Sequence, residues 1–389
     1  MIVDHYSLPA VKSPAGIGVL KSGYLKININ ASANMKKQLF FLFFLILVGQ
    51  SADAQRRIYH LPELPGYITL KCDFHMHTVF SDGTVWPDYR LYEAIRDGLD
   101  AIAITDHIEY SSKKDYIPMD YNAGWKITET AARENNVILV HGAEITRDMP
   151  PGHMNALFIQ DASRLVKDSA YDVIAEAVKQ GAFIQWNHPG WKAQEADGIP
   201  KLYDIHRKLL KNGWINGIEF FNDSEYYPLV LDWCKQFNLA VMGNSDVHGI
   251  ISESYHQPEY NERPMTLVFA RSRTSEGLRE ALFAGRSMVW FRDTLAASEE
   301  FARPFFYSSI SVGKQFCVND KNLYFEITNS TDIPYYLING PKGAPTSIAL
   351  SANSITRVEL SRSFKGRMVY DVGNILTGSK ERLKIELTY

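Results

Sequence analysis

The stretch Ile68-Thr69-Leu70-Lys71-Cys72-Asp73-Phe74-His75-Met76-His77 decides the fold. An apolar strand over 68–74 runs directly into an acid and two histidines. Residues two apart on a strand project to the same face, so His75 and His77 can reach one ion. Polar chemistry that begins where an apolar strand stops is the signature of a β/α unit with its site at the strand's C-terminal end.

The same arrangement recurs downstream. Apolar strands are predicted over 101–105, 137–140, 155–159, 182–186, 217–221 and 239–242, with helices over 86–97, 127–134, 170–180, 203–210 and 229–237 between them. Strand–helix alternation over this length predicts a parallel α/β architecture, which a strand at 266–270 and a helix at 275–284 could close or buttress. Asp73, His107, Glu144, His188, Asp246 and His248 all fall at or just past strand ends. An open doubly wound sheet would draw its ligands from fewer strands at a switch point, so a closed or nearly closed barrel fits better. After about residue 295 the texture changes to strands over 305–312, 323–327, 335–337, 354–360, 367–371 and 383–387, separated by Ser, Asn, Gly and Pro turns. This predicts a small all-β, sandwich-like domain. It contains no histidine, so it is not expected to ligate metal.

The polar motifs are Asp73-Phe74-His75-Met76-His77-Thr78, Ser81-Asp82-Gly83, Thr105-Asp106-His107, Gly142-Ala143-Glu144, Gly152-His153, Asn187-His188-Pro189 and Ser245-Asp246-Val247-His248. Imidazole and carboxylate together suit Zn, Mn or Fe, and this many donors exceed the needs of one ion. Asp246 and His248 repeat the two-apart spacing of His75 and His77 from about 170 residues away. Glu144 follows an apolar strand, where a metal or ion pair must compensate its charge. Its two oxygens could bridge two ions, which a neutral imidazole cannot do. Of Asp106 and His107, one could be a ligand and the other its supporting partner. His153 is the weakest of the set, because Pro150-Pro151-Gly152 before it is simply a loop.

The 389 residues carry a net charge of −3, which leaves no electrostatic footprint for nucleic acid. Met35-Lys36-Lys37, an uncharged apolar run from Leu39 to Val48 and Ala52-Asp53-Ala54 have the form of a signal peptide over 35–54. The run is too short to span a bilayer comfortably, so no anchor is expected after cleavage. Residues 1–34 then read as an extension upstream of the better initiator Met35. The expected domains are therefore 1–34, the leader 35–54, a barrel over 55–294 and the β domain over 295–389. Cys72, Cys234 and Cys317 make an odd, widely spaced trio, so no disulfide framework is expected even in an exported protein.

Taken in order, Asp-x-His-x-His-Thr-x-x-Ser-Asp-Gly at 73–83, Thr-Asp-His at 105–107, Gly-x-Glu at 142–144, His153, His-Pro at 188–189 and Ser-Asp-x-His at 245–248 resemble the PHP (polymerase and histidinol phosphatase) superfamily, here of an exported bacterial type. The resemblance implies a distorted seven-stranded, TIM-like β/α barrel and up to three divalent ions. One ion would be held by His75, His77, Glu144 and Asp246. A second would be held by Glu144 as bridge with His153 and His188, and a third by Asp82, His107 and His248. Asp246, Glu144 and His248 would also be catalytic. Some members carry a histidine where this chain has Asp82, a departure that bears on the metal preference or occupancy of the third site. His141 lies outside the pattern.

The function so implied is hydrolysis of a small phosphomonoester or phosphodiester by metal-activated hydroxide at a trinuclear centre, outside the cytoplasm. Arg147 and Lys192 follow ligand motifs and are candidates to meet the phosphate. Tyr110 and Trp191 are candidates for the pocket wall. Hydrolysis of a non-phosphate bond, and a degenerate metal-binding surface module, are the alternatives. The intact ligand set argues against the second of these.

Overall fold

Strands that are apolar on both faces need cover on both sides, which helices supply in a parallel sheet. The computed structural model describes residues 56–255 and 262–389. The leader at 35–54 and the extension before it lie outside the described residues. β1 (Ile68–Asp73), β2 (Ala101–Ile104) and β3 (Ile138–Ile145) pair in parallel, in registers that include Cys72↔Ala101 and Ala101↔Ile138. β4 (Met154–Leu157) runs antiparallel to β3 and to β5 (Phe183–Trp186). β5 then pairs in parallel with β6 (Gly217–Asn222), which carries the short hairpin partner β7 (Glu225–Tyr226) and pairs in parallel with β8 (Ala240–Asn244). The parallel arrangement expected from the sequence is thus interrupted at β4. The connection 146–153 is too short for a crossover helix, so the chain reverses directly into β4.

Closure of the barrel involves the candidate ligand residues themselves. β9 (Met265–Ala270) runs antiparallel along β1 from Ile68↔Ala270 to Cys72↔Thr266. Beyond Cys72 the partner of β1 changes. Asp246 N donates to His75 O (2.8 Å) and His77 N to Val247 O (3.0 Å), beside a Met76–Val247 bridge.

The outer helices are α1 (Pro87–Arg96), α2 (Ala123–Glu134), α3 (Ala170–Lys179), α4 (Asp204–Lys211), α5 (Leu229–Phe237) and α6 (Ser275–Phe283). α3 shows why they form. Ser169 caps it by accepting from Asp172 N (3.3 Å), and Val173, Ile174 and Ala177 make one buried face. Burying each of the two large side chains contributes about 1.5–3 kcal/mol. Among the described residues no helix is long and apolar enough to cross a membrane.

β10 (Ser287–Phe291) and β11 (Thr294–Ala296) continue the sheet past β9. A helix, α7 (Glu299–Ser309), then occupies much of what the sequence predicts as a strand at 305–312. Phe301, Ala302, Phe305, Phe306 and Ser309 are buried at helical spacing, and this 3.6-residue period outweighs the aromatic strand propensity. The strands β12 (Ile310–Val312), β13 (Cys317–Val318), β14 (Asn322–Asn329), β15 (Tyr335–Ile338), β16 (Ile348–Leu350), β17 (Ser354–Ser361), β18 (Met368–Leu376) and β19 (Arg382–Leu387) complete an all-β domain. β14 pairs with β12, β13 and β17 in one sheet, whereas β16, β15, β18 and β19 lie in the other. β18 also pairs in parallel with β11, so hydrogen bonding runs without a break from barrel to β domain.

Candidate metal centre

His75 and His77 stand just past β1, with their backbones held by the loop after β8. Arg90, fully buried on α1, reinforces that seam by donating from Nε to His77 O (2.9 Å) and from Nη2 to Val247 O (3.1 Å). Asp82 arrives on a tight turn that requires glycine next to it. A Cβ at Gly83 would lie 2.5 Å from the His77 carbonyl carbon. Asp106 accepts from Thr78 N (2.7 Å), Thr78 Oγ1 (2.7 Å) and Ser81 Oγ (2.7 Å), so it secures this turn while its neighbour His107 points to the centre. Glu144 lies within β3, and its backbone is tied to the 106–108 loop through Glu144 N→Asp106 O (3.1 Å) and Ile108 N→Glu144 O (2.9 Å). His188 and Asp246 both adopt positive φ, +25° and +51°. Such backbone strain concentrates at functional sites.

All nine candidate ligands converge. His75 Nε2 lies 3.3 Å from Glu144 Oε1 and 3.2 Å from Asp246 Oδ1, and His77 Nε2 lies 3.0 Å from the same Asp246 oxygen. His153 Nδ1 and His188 Nε2 approach Glu144 Oε1 at 3.2 and 3.7 Å. Asp82 Oδ1 lies 3.5 Å from His107 Nε2 and 3.2 Å from His248 Nε2. Three groups of donors are each compact enough for one ion, with atoms within 4.8 Å of one another: His75, His77 and Glu144; Glu144, His153 and His188; and His77, Asp82, His107 and His248. Asp246 sits beside the first. The difference from the expected division is that His77 can reach two groups.

The residues fit metal ions by a further criterion. His75 Nε2, Glu144 Oε2 and Asp82 Oδ1 are buried and make no hydrogen bond, although Glu144 Oε2 lies 2.6 Å from His107 Nδ1, and each group contains at least one of them. A buried polar atom without a hydrogen bond is costly, and a cation would satisfy it. Electrostatics agree. Burial favours the neutral form of His75, but Asp246, Glu219 and Glu144 more than offset it and raise its pKa. Burial likewise opposes protonation of His107, yet Glu144 and Asp82 bring its pKa up to about 10. His77 goes the other way, down to about 3, through burial and the neighbouring His107. Burial pushes Glu144 up, but His107, His153 and His75 hold it well below the usual carboxylate range. The cage is thus an ionised carboxylate set neutralised by protons that cations can displace.

Glu219, which the sequence reading passes over, organises the floor. It is fully buried on β6 and accepts from His75 Nδ1 (2.9 Å), Gln185 Nε2 (3.0 Å), Asn244 Nδ2 (2.9 Å), His188 N (2.8 Å) and Asn222 Nδ2 (2.9 Å). Asn187 Nδ2 donates to Glu144 Oε1 at 2.7 Å. The available signal was an acid in the middle of the apolar strand Gly217-Ile-Glu-Phe-Phe. The centre opens into a cleft of about 510 Å³ in which Tyr110 and Trp191 do form part of the wall. Arg147 and Lys192 do not line it. Arg147 is turned into a neighbouring loop, where it donates to the carbonyls of Asp168 (3.0 Å) and Lys167 (2.6 Å) and pairs with Glu109 (2.9 Å). His141 stands apart, stacked on Trp125 with centroids 4.8 Å apart.

Comparison with known proteins agrees with this geometry. Residues 73–284, more than half the chain, match the PHP domain family, and residues 310–388 match a family described as an Ig-like domain. An uncharacterized protein of Methanocaldococcus jannaschii is 37% identical over 189 residues, which cover 46% of this chain and 82% of that protein. A two-domain protein of Bacteroides vulgatus, whose crystal structure is described as containing a predicted PHP-like metal-dependent phosphoesterase, is similar with a TM-score of 0.83 at 37% identity. The match covers 86% of this chain and 99% of that one.

Proposed function

The chain belongs to the PHP family, and on that premise we propose that it is an exported hydrolase of phosphoester bonds with a trinuclear metal centre. The observation that carries this reading is the presence of three donor groups linked through Glu144 and His77, each with a buried polar atom that makes no hydrogen bond. His75, His77, Glu144 and Asp246 would hold one ion, Glu144, His153 and His188 a second, and Asp82, His107 and His248 a third. Zn, Mn and Fe all suit this donor set. Bound divalent ions would supply Lewis-acid compensation for phosphoryl charge and lower the pKa of a water molecule toward neutrality.

The chain's own residues set the remaining terms. Glu219 fixes His75 with Nδ1–H directed at its carboxylate, which leaves Nε2 as the donor atom. Among the described residues no lysine or arginine lines the cleft, so the phosphate must be neutralised at the centre itself. Tyr110 and Trp191, 51% and 40% exposed, offer flat apolar surface to a leaving group. The leader at 35–54 supports export, and the mature N-terminus would then be Gln55.

The test is turnover of p-nitrophenyl phosphate and of bis(p-nitrophenyl) phosphate by the chain from residue 55 onward, loaded with Zn, Mn or Fe. Hydrolysis of either ester that disappears in Asp246→Ala is expected. Metal-replete protein that cleaves neither would shift the reading to another bond or to a binding module. N-terminal sequencing of the protein from its native host tests export.

A further inference from the structure

Beside the metal cleft lies a second cavity of about 510 Å³, and the two meet at Ser224, which lines both. Ser224 sits in the turn between β6 and β7, where Phe221 pairs with Tyr226 and Asn222 with Glu225. Paired residues share a face, and the faces alternate along each strand. The hairpin is therefore a partition, with Asn222 and Glu225 lining the metal side and Phe221 and Tyr226 the other. Charge differs across it. Asp223 and Glu225 line the metal side with no lysine or arginine among the described residues. The second cavity is lined by Arg292 and Arg382 with no acid among the described residues.

The second cavity is built from both parts of the molecule. Its floor is Phe221 of β6 against Phe291 of β10, edge to face with centroids 5.4 Å apart. The Arg292 guanidinium carbon lies 4.9 Å from the Phe291 ring centroid, which keeps that charge over the floor. Arg382 comes from β19 of the β domain. Its Nε donates to Gly373 O (3.0 Å), and neither of its Nη atoms makes a hydrogen bond or ion pair among the described residues. An arginine anchored through Nε and presenting its terminal amines is suited to an oxyanion.

We propose that this cavity is a subsite for a second oxyanion carried by the substrate whose phosphoester is cut at the metal centre. The inference rests on the phosphoesterase reading. A second anion is repelled by Asp223 and Glu225 on the metal side and is compensated beyond Ser224. The substrate is accordingly an extended bis-anion, and the β domain contributes to its selection through Arg382.

The test compares straight-chain diol bisphosphates from propane to octane, and the matching ω-carboxyalkyl phosphates, with p-nitrophenyl phosphate. At one or more chain lengths the bis-anions should show the higher kcat/KM. A preference confined to one arm identifies the second anion as phosphate or carboxylate. In Arg382→Gln the ratio of specificity constants, bis-anion over p-nitrophenyl phosphate, should fall about tenfold to a hundredfold, mainly through KM. Arg292→Gln should lower the same ratio. No advantage for either series at any length, or an unchanged ratio in Arg382→Gln, would overturn the subsite. If no phosphoester is hydrolysed at all, the phosphoesterase reading fails separately. Calorimetric binding of the bis-anions to wild type and Arg382→Gln then decides the subsite, with equal affinities counting against it.

Discussion

Glu219→Gln should loosen the metal centre without touching a ligand. Glu219 accepts five hydrogen bonds, three at Oε1 and two at Oε2. Glutamine offers one acceptor oxygen, so its amide must face donors. The His188 backbone N–H at Oε2 cannot reorient, so the amide nitrogen is expected at the Oε1 position. The side chains of Gln185 and Asn244 can adjust there, but His75 can accept from the amide only by moving its proton from Nδ1 to Nε2. That proton would occupy the atom directed at Glu144 and Asp246. Loss of such an outer partner typically lowers metal affinity 10–100-fold, or about 1.4–2.8 kcal/mol. With two or three donors left poorly satisfied, the metal-free protein should also lose about 2–5 kcal/mol. Competition with a fluorescent chelator reads the first quantity, and urea unfolding of metal-free protein reads the second. An affinity within about twofold of wild type would refute the positioning role of Glu219.

Asp246→Ala and Glu144→Ala should each lose bound metal and phosphoester turnover, whereas His141→Ala should retain both, as measured by elemental analysis and initial rates. Acidification should weaken metal binding, because His75, His107, His188 and His248 are all raised by the carboxylates they face, against the opposing effect of burial, and must release protons to coordinate. The same shifts give the metal-free protein a stability contribution that is complete below pH 6.5 and lost as pH rises toward about 10, where His107 deprotonates. Melting temperatures of chelated protein across that window should fall, and those of metal-loaded protein should fall less. Phe305→Ala should cost about 3–5 kcal/mol in chemical denaturation, since Phe305 is fully buried in α7.

Most of the candidate ligands were legible because they follow an apolar strand to reach a common face, and strand ends are visible in sequence. His75 and His77 declare themselves by spacing, as do Asp246 and His248. What sequence does not display is the direction of a connection or of a side chain. The reversal at β4 depends on the short loop 146–153, which also carries Arg147 outward to the 167–168 carbonyls. Glu219 was hidden because two of its partners, Gln185 and Asn244, come from the flanking strands β5 and β8, which sequence does not reveal as its neighbours. At 305–312 aromatic composition suggested a strand, although the buried positions follow a helical period that begins at Phe301.

The most direct measurement is the metal content of replete protein from residue 55 onward, by elemental analysis of wild type beside Asp82→Ala and Glu144→Ala. Wild type should approach three ions per chain, one for each donor group. Asp82→Ala should lose the outer ion alone, and Glu144→Ala should lose more than one because two groups share it. Fewer than two ions in wild type, or a Glu144→Ala protein that keeps the wild-type content, would contradict a multinuclear centre built on Glu144.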